Sequence, residues 1–153
     1  MLLIAIDQLS KYAAEASLPF QQAVSVVPFF SLYRTYNTGI AFSMLDWAGN
    51  AGLIVLAIVV ICAMLYLWSK VREDQQLAHL GFALVIGGAF GNLIDRMYQG
   101  HVIDFLLFHT ETWAFAVFNL ADAFITIGAI AIVVDEIFSW KDGDKEASPP
   151  PVD

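Results

Sequence analysis

The chain has 153 residues, of which 59% are hydrophobic, 14% aromatic and only 14% charged. A soluble domain of this size carries about 25% charged and 45–50% apolar residues, so the balance excludes disorder and points to an integral membrane protein. The lone cysteine excludes a disulfide scaffold, and seven Lys+Arg against fifteen Asp+Glu, net −8, argue against a nucleic-acid partner.

In chain order, Met1 to Ile6 is apolar and ends at Asp7. It is too short for a span, and it lacks the basic n-region and cleavage site of a signal peptide. It reads as the last part of a membrane helix reaching about Ala16. A span needs roughly 20 helical residues, so roughly a dozen residues are expected to be missing upstream, through a mis-assigned start or truncation.

A connection from Ser17 to Asp46 follows. Within it Val24 to Tyr36 is rich in β-branched and aromatic residues, then come Asn37-Thr38-Gly39 as a turn and a further apolar run, a hairpin signature. So apolar a loop beside a bilayer either rests on the lipid surface or packs on the helix ends.

Trp47 to Ser69 gives 23 residues without a formal charge, and Gln75 to Ile94 gives 20 more after the charged turn Lys70 to Asp74. Between Glu111 and Asp135 lie another 23, interrupted only by Asp122. Each block is long enough to span a bilayer core as a helix. The sequence therefore predicts helices over about 1–16, 47–69, 75–96 and 115–138, with a β-rich loop over about 20–45 and a loop from about Met97 to Ala114. Residues 1–140 make one membrane-embedded domain, and 141–153, charged and ending in SPPPVD, read as a disordered cytoplasmic tail. Lys70, Arg72, Lys141 and Lys145 collect on one side, against Lys11, Arg34 and Arg96 on the other. The positive-inside rule then puts the 70–74 turn and the tail in the cytoplasm and both long loops outside.

Polar residues inside a membrane are expensive, so each is a functional candidate. Asn92, Asp95 and Arg96 share one face at i, i+3 and i+4, with Arg96 placed to pair with a carboxylate. Gly87, Gly88 and Gly91 just before them read as a helix-packing seam. Lys11, four residues after Asp7, makes a favourable helix pair with a structural role. Asn119 and Asp122 share a face, and a helix entering near Ala116 would carry Asp122 about 9 Å into the membrane. A carboxylate there needs neutralisation or a partner, and Asp104 is the nearest acid in chain order.

Two close carboxylates share one proton. The ionised one can take a proton from water and the protonated one can donate to a carbonyl oxygen, as in aspartic proteases. Spacing alone leaves catalysis, proton transport and helix pairing all open for this pair. The other polar positions read blandly. Cys62 is a small buried hydrophobe, His79 a helix-end residue, and Asp135-Glu136 a helix end emerging into water. Trp47, Trp68, Trp113 and Trp140 fall near membrane boundaries. His101 and His109 sit in the outer loop, but the chain has no HExxH and no Cys/His cluster for a metal.

Five blocks, in order, resemble the lipoprotein signal peptidases, the bacterial signal peptidases II. They are Asp7-Gln8-Leu9-Ser10-Lys11, Asn37 to Ser43 (NTGIAFS), Gly87 to Arg96 (GGAFGNLIDR), Val102-Ile103-Asp104-Phe105, and Phe118-Asn119-Leu120-Ala121-Asp122. The resemblance covers Met1 to about Phe138. It implies an all-α membrane protein, a four-transmembrane-helix bundle whose first helix is truncated here, with a small extracytoplasmic β-cradle on the Val24 to Ser43 pattern. It implies an intramembrane aspartic endopeptidase of the bacterial inner membrane, with both termini cytoplasmic. Such an enzyme removes the signal peptide from diacylglyceryl-modified prolipoproteins just before the lipidated cysteine. Asp104 and Asp122 match the catalytic pair, Asn37, Asn92, Arg96 and Asn119 the substrate-binding or dyad-supporting residues, and Asp7 and Lys11 the structural support. No metal or cofactor is implied, and the partners are the lipid-modified prolipoprotein and membrane lipid, with the enzyme acting as a monomer.

The alternative is a small four-helix proton-coupled transporter with Asp122 as its carrier. A transporter would place its acid near mid-membrane and often show an inverted repeat. Here the acids and amides cluster at one face and no repeat is visible, which favours an enzyme at the bilayer surface.

Overall fold

In a computed structural model, which describes residues 1–39 and 49–146 and side chains as far as residue 140, four helices surround a small sheet. The order is α1 (Leu2–Ser17), β1 (Ala23–Val27), β2 (Phe30–Asn37), α2 (Gly49–Trp68), α3 (Gln76–Gln99), β3 (Val102–Phe108) and α4 (Leu120–Glu146). Among the described residues α2 and α3 are each long and apolar enough to cross a membrane.

The helices are inside out by the standards of a soluble protein. The buried residues of α1 are Asp7, Lys11 and Ala14, at i, i+4 and i+7, while Leu2, Leu9 and Tyr12 face outward. On α4 the outward residues include Ile127, Ile130, Val133 and Ile137. Hydrocarbon is the solvent that selects this pattern, because it tolerates exposed aliphatics and forces polar groups to find partners inside.

Helix α3 is the hub, packing against α1, α2, α4 and β3. Ile61, Ala89 and Leu93 form its buried contact with α2. Because α2 packs chiefly on α3, a mid-helix position on it is not an interior one, and Cys62 is exposed rather than the buried hydrophobe expected. The helix α3 ends at Gly100, whose φ of 76° places it in the left-handed region and whose N–H returns to the Arg96 carbonyl at 3.2 Å. That cap turns the chain straight into β3.

The sheet is antiparallel, in the order β1-β2-β3. The β1–β2 hairpin reverses at Pro28-Phe29, with Phe29 at φ 71°, while the segment expected to follow a turn at Asn37-Thr38-Gly39 lies outside the described residues. Val24 to Tyr36 is therefore two strands. Asn37 ends β2 with an Asx turn, its Oδ1 accepting the Gly39 N–H at 3.1 Å. The apolar run Ile40 to Ser43 and Trp47 lie outside the described residues.

The expected loop over 97–114 contains β3, buried at nearly every position. Its free edge is taken by the returning chain. Leu106 and Phe118 exchange hydrogen bonds of 2.8 and 3.0 Å, and the Phe115 N–H donates to the Phe108 carbonyl at 2.8 Å. The Phe118 carbonyl, which accepts from both Phe105 at 3.0 Å and Leu106 at 2.8 Å, is unavailable to a helix, so α4 begins at Leu120 and not near 115. At its other end α4 continues to Glu146, past the expected stop at 138 and into the stretch read as tail. With no proline between Leu120 and Glu146, no backbone donor is missing from its ladder there. Asp135, expected to emerge into water, is buried and accepts from Gln75 Nε2 at 2.8 Å.

Candidate active site

The pairing of β3 with the returning chain sets the site. Leu106 lies opposite Phe118, so Asp104, two residues before the one, stands opposite the start of α4, two residues after the other. Across the other edge Thr35 pairs with Asp104 and Asn37 with Val102, which makes Asn37 a diagonal same-face neighbour of Asp104.

Asn119 precedes α4 and caps it. Its Oδ1 accepts the Asp122 N–H at 3.0 Å, and Asp122 Oδ2 accepts the Asn119 N–H at 3.2 Å, a reciprocal capping box. Capping alone would account for the i, i+3 spacing, but both side chains reach further. Asn119 Nδ2 donates to Asp104 Oδ1 at 2.7 Å and to Asn92 Oδ1 at 3.1 Å. Asn92 Nδ2 donates to Asp122 Oδ1 at 2.7 Å, and Asn37 Nδ2 to Asp104 Oδ2 at 3.0 Å. The amides of Asn92 and Asn119 thus join the two carboxylates.

The two acids sit in different surroundings. Asp104 is 2% exposed. Burial, and secondarily the like charge of Asp122, push its carboxyl up to about 6, against the opposing effect of the Asn37 and Asn119 amides. Asp122 is half-buried and opens into a cleft of about 440 Å³, lined also by Phe108, Phe115, Phe118, Ala123, Thr126 and Ile127. It is the charged side chain in a lining that is apolar apart from Thr126, whose hydroxyl donates to the Asp122 carbonyl at 2.8 Å.

A second cluster lies behind Asn92. Lys11 Nζ is 2.8 Å from Asp7 Oδ2, 2.8 Å from Asp95 Oδ2 and 2.9 Å from Asn92 Oδ1. Asp7 Oδ1 accepts the Ala121 N–H at 3.0 Å, so α1 also caps α4. The partner of Asp95 is therefore Lys11, not Arg96. Arg96 makes no ion pair among the described residues: one guanidinium nitrogen donates to the Asn92 carbonyl at 3.4 Å and its Nε has no partner. Gly87, Gly88 and Gly91 form a seam against Leu3, Ala121 and Asp7 respectively.

Two contributors escaped the sequence reading. Gln8, adjacent to Asp7, donates to Asp95 Oδ1 at 2.8 Å; its place inside the Asp7 to Lys11 block was the available signal. Ser31, buried in β2, lies 2.8 Å from His109 Nε2 and ties the hairpin to the end of β3; nothing in the sequence marks that contact. Among the described residues no group of three or more His, Cys, Asp or Glu side chains is arranged to hold a metal ion.

Buried acids and amides, joined across helices whose outer faces are apolar, define a membrane-embedded protein with a carboxylate site. Residues 1–138 match the family model described as Signal peptidase (SPase) II, and the chain belongs to that family of proteases. It is 53% identical over 146 residues to the lipoprotein signal peptidase of Mesorhizobium japonicum, covering 95% of this chain and 87% of that one. It is 54% identical over 135 residues to the lipoprotein signal peptidase of Sinorhizobium fredii, covering 88% and 81%. Two solved structures, each described as a bacterial membrane enzyme, share the fold. One has a TM-score of 0.81 at 25% identity, covering 99% of this chain and 90% of its own. The other has a TM-score of 0.76 at 28% identity, covering 87% and 86%.

Proposed function

We propose that the protein is an intramembrane aspartic endopeptidase that removes the signal peptide from diacylglyceryl-modified prolipoproteins, with Asp104 and Asp122 as its dyad. The observation that carries this reading is the pair of carboxylates bridged by the Asn92 and Asn119 amides at the mouth of an apolar cleft.

Asp104, buried and with a raised pKa, holds the proton. Asp122, at the cleft, accepts a proton from the water that attacks the scissile carbonyl carbon, while Asp104 donates its proton to the carbonyl oxygen. When the tetrahedral intermediate collapses, the C–N bond breaks, the amine leaves with the proton from Asp122, and the hydroxyl proton returns to Asp104. Asn37, Asn92 and Asn119 hold the two carboxylates in place. Arg96, without an ion pair among the described residues, is available to a substrate carbonyl or a lipid headgroup. The phenylalanine-lined cleft receives the apolar part of the substrate.

In this reading the full-length protein crosses the inner membrane four times, with α1 as the last part of its first span, residues 1–140 form one domain, and the enzyme works as a monomer with both ends of the full-length chain in the cytoplasm. The sheet lies at the extracytoplasmic face, where the outward Val26, Val27 and Phe29 of the hairpin meet lipid. The test is cleavage of a diacylated prolipoprotein by the purified protein in lipid. Asp104→Asn and Asp122→Asn should each lower the rate by about 10²–10⁴-fold. Cleavage at the wild-type rate by either variant removes the dyad, and proton flux into vesicles without cleavage restores the transporter.

A further inference from the structure

Lys11 is 2% exposed, inside a helix bundle, and its ammonium carries three protons and no lone pair. All three protons are used, on Asp7 Oδ2, Asp95 Oδ2 and Asn92 Oδ1. An ion-pair role explains the first two contacts. The third has a different consequence. Because an ammonium can only donate, the Asn92 atom that meets it must be the oxygen. The amide is then fixed end for end, and its NH₂ points at Asp122 Oδ1, 2.7 Å away.

The second amide follows from the first. Asn92 Oδ1 also accepts from Asn119 Nδ2, which donates to Asp104 as well, and the Asp122 N–H secures the Asn119 oxygen. Without the cation, the Asn92 oxygen keeps only the Asn119 donor, and the amide loses the charged partner that holds its NH₂ toward Asp122.

We propose that Lys11 is a positioning residue for hydrolysis: it fixes the Asn92 amide with its NH₂ toward Asp122 and so keeps Asp122 as the accepting member of the dyad. This rests on the dyad reading above. The charged groups facing the site are Asp104 from β3, Arg96 and Asp95 from α3, and Asp7 beside Lys11 from α1.

The test compares two variants of the full chain in lipid, with rates normalised to folded enzyme. Lys11→Met combined with Asp95→Asn removes the cation without changing the net charge of the cluster. Its kcat should fall about tenfold with KM unchanged, and the acidic limb of its pH–rate profile should move up by about one pH unit, as loss of a donor to a carboxylate requires. Lys11→Arg keeps a donor-only cation, and its acidic limb should stay at the wild-type pH even if its bulk lowers the melting temperature. A purely structural Lys11 would change the folded fraction and leave the profile alone. A wild-type kcat and acidic limb in the double variant, or a limb displaced in Lys11→Arg, overturns the inference. These outcomes are separate from the dyad test, since Asp104→Asn and Asp122→Asn are read in the same assay.

Discussion

At the scale of the residue, the proposed dyad is asymmetric because only one acid, Asp104, is fully buried. Asp104 lies within β3 with both oxygens accepting amide hydrogens, and its carboxyl is pushed up to about 6 from the ordinary 3.8. Burial penalises its charged form, so it keeps its proton up to about pH 6. The rate should therefore be bell-shaped in pH, with the alkaline limb falling through about 6 as Asp104 ionises and the acidic limb set by protonation of its partner. A rate flat from acid to alkaline pH would contradict this. The same shift has a sign for stability. A folded-state pKa above the unfolded one gives a contribution that is complete below 3.8 and lost as pH rises through about 6. Asn37 donates to Asp104 and favours its charged form. Asn37→Leu should accordingly move the alkaline limb to higher pH, by about one unit, as a pH–rate series on the two proteins would show.

At the scale of the element, the site depends on α3 and α4 meeting backbone to backbone. A Cβ on Gly81 would lie 2.7 Å from the Gly128 carbonyl oxygen, and one on Gly128 would lie 2.6 Å from that of Gly81. Neither backbone can yield, so Gly128→Ala must push the helices apart. The expected cost is about 1–3 kcal/mol, visible as a lower melting temperature in detergent. Activity should fall with it, because the Asn92–Asp122 hydrogen bond crosses the same seam. Helices α2, α3 and α4 were legible in the sequence, since runs with at most one charge need only be counted, whereas α1 carries Asp7, Lys11 and Glu15 and shows only an apolar start. Strand β3 was not, because one acid interrupts a short apolar run and its partners are β2, far upstream, and the returning chain at Phe118. The start of α4 went with it, fixed by hydrogen bonds to β3 that no local propensity encodes. The reversal inside Val24 to Tyr36 was not legible either. Asn37-Thr38-Gly39 has turn chemistry and serves as an Asx turn, while the reversal falls on Phe29, an aromatic residue at positive φ. Within the site, the pairs at i+3 and i+4 could be read along the chain. The bonds from Lys11 to Asn92 and from Asp7 to Ala121, spanning 81 and 114 residues, could not.

At the scale of the whole molecule, an inside-out bundle carries its polar groups where a substrate in the same bilayer can reach them without crossing water. The cleft beside Asp122 is the place where interior and exterior meet, because apolar aromatic walls lead from the outer face of α4 to a carboxylate. Two readings of that cleft differ in a measurable way. If it only holds bilayer lipid, filling it changes nothing in turnover. If it seats the apolar part of the substrate, filling it weakens binding and leaves the bridged carboxylates undisturbed. Thr126 lines the cleft one turn beyond Asp122 and is exposed there, so Thr126→Phe puts a ring into the space without displacing a buried group. Val133 is 58% exposed further along α4 and does not line the cleft, so Val133→Phe adds the same kind of bulk to the lipid-facing surface. Rates measured over a range of diacylated-substrate mole fraction in mixed micelles should show KM raised about tenfold or more in Thr126→Phe, equivalent to a loss of at least about 1.4 kcal/mol of binding. Its kcat and melting temperature should stay close to wild type, and Val133→Phe should leave all three unchanged. Equal effects of the two substitutions, or a Thr126→Phe enzyme with wild-type KM, would assign the cleft to bulk lipid and send the substrate to Asp122 by another face.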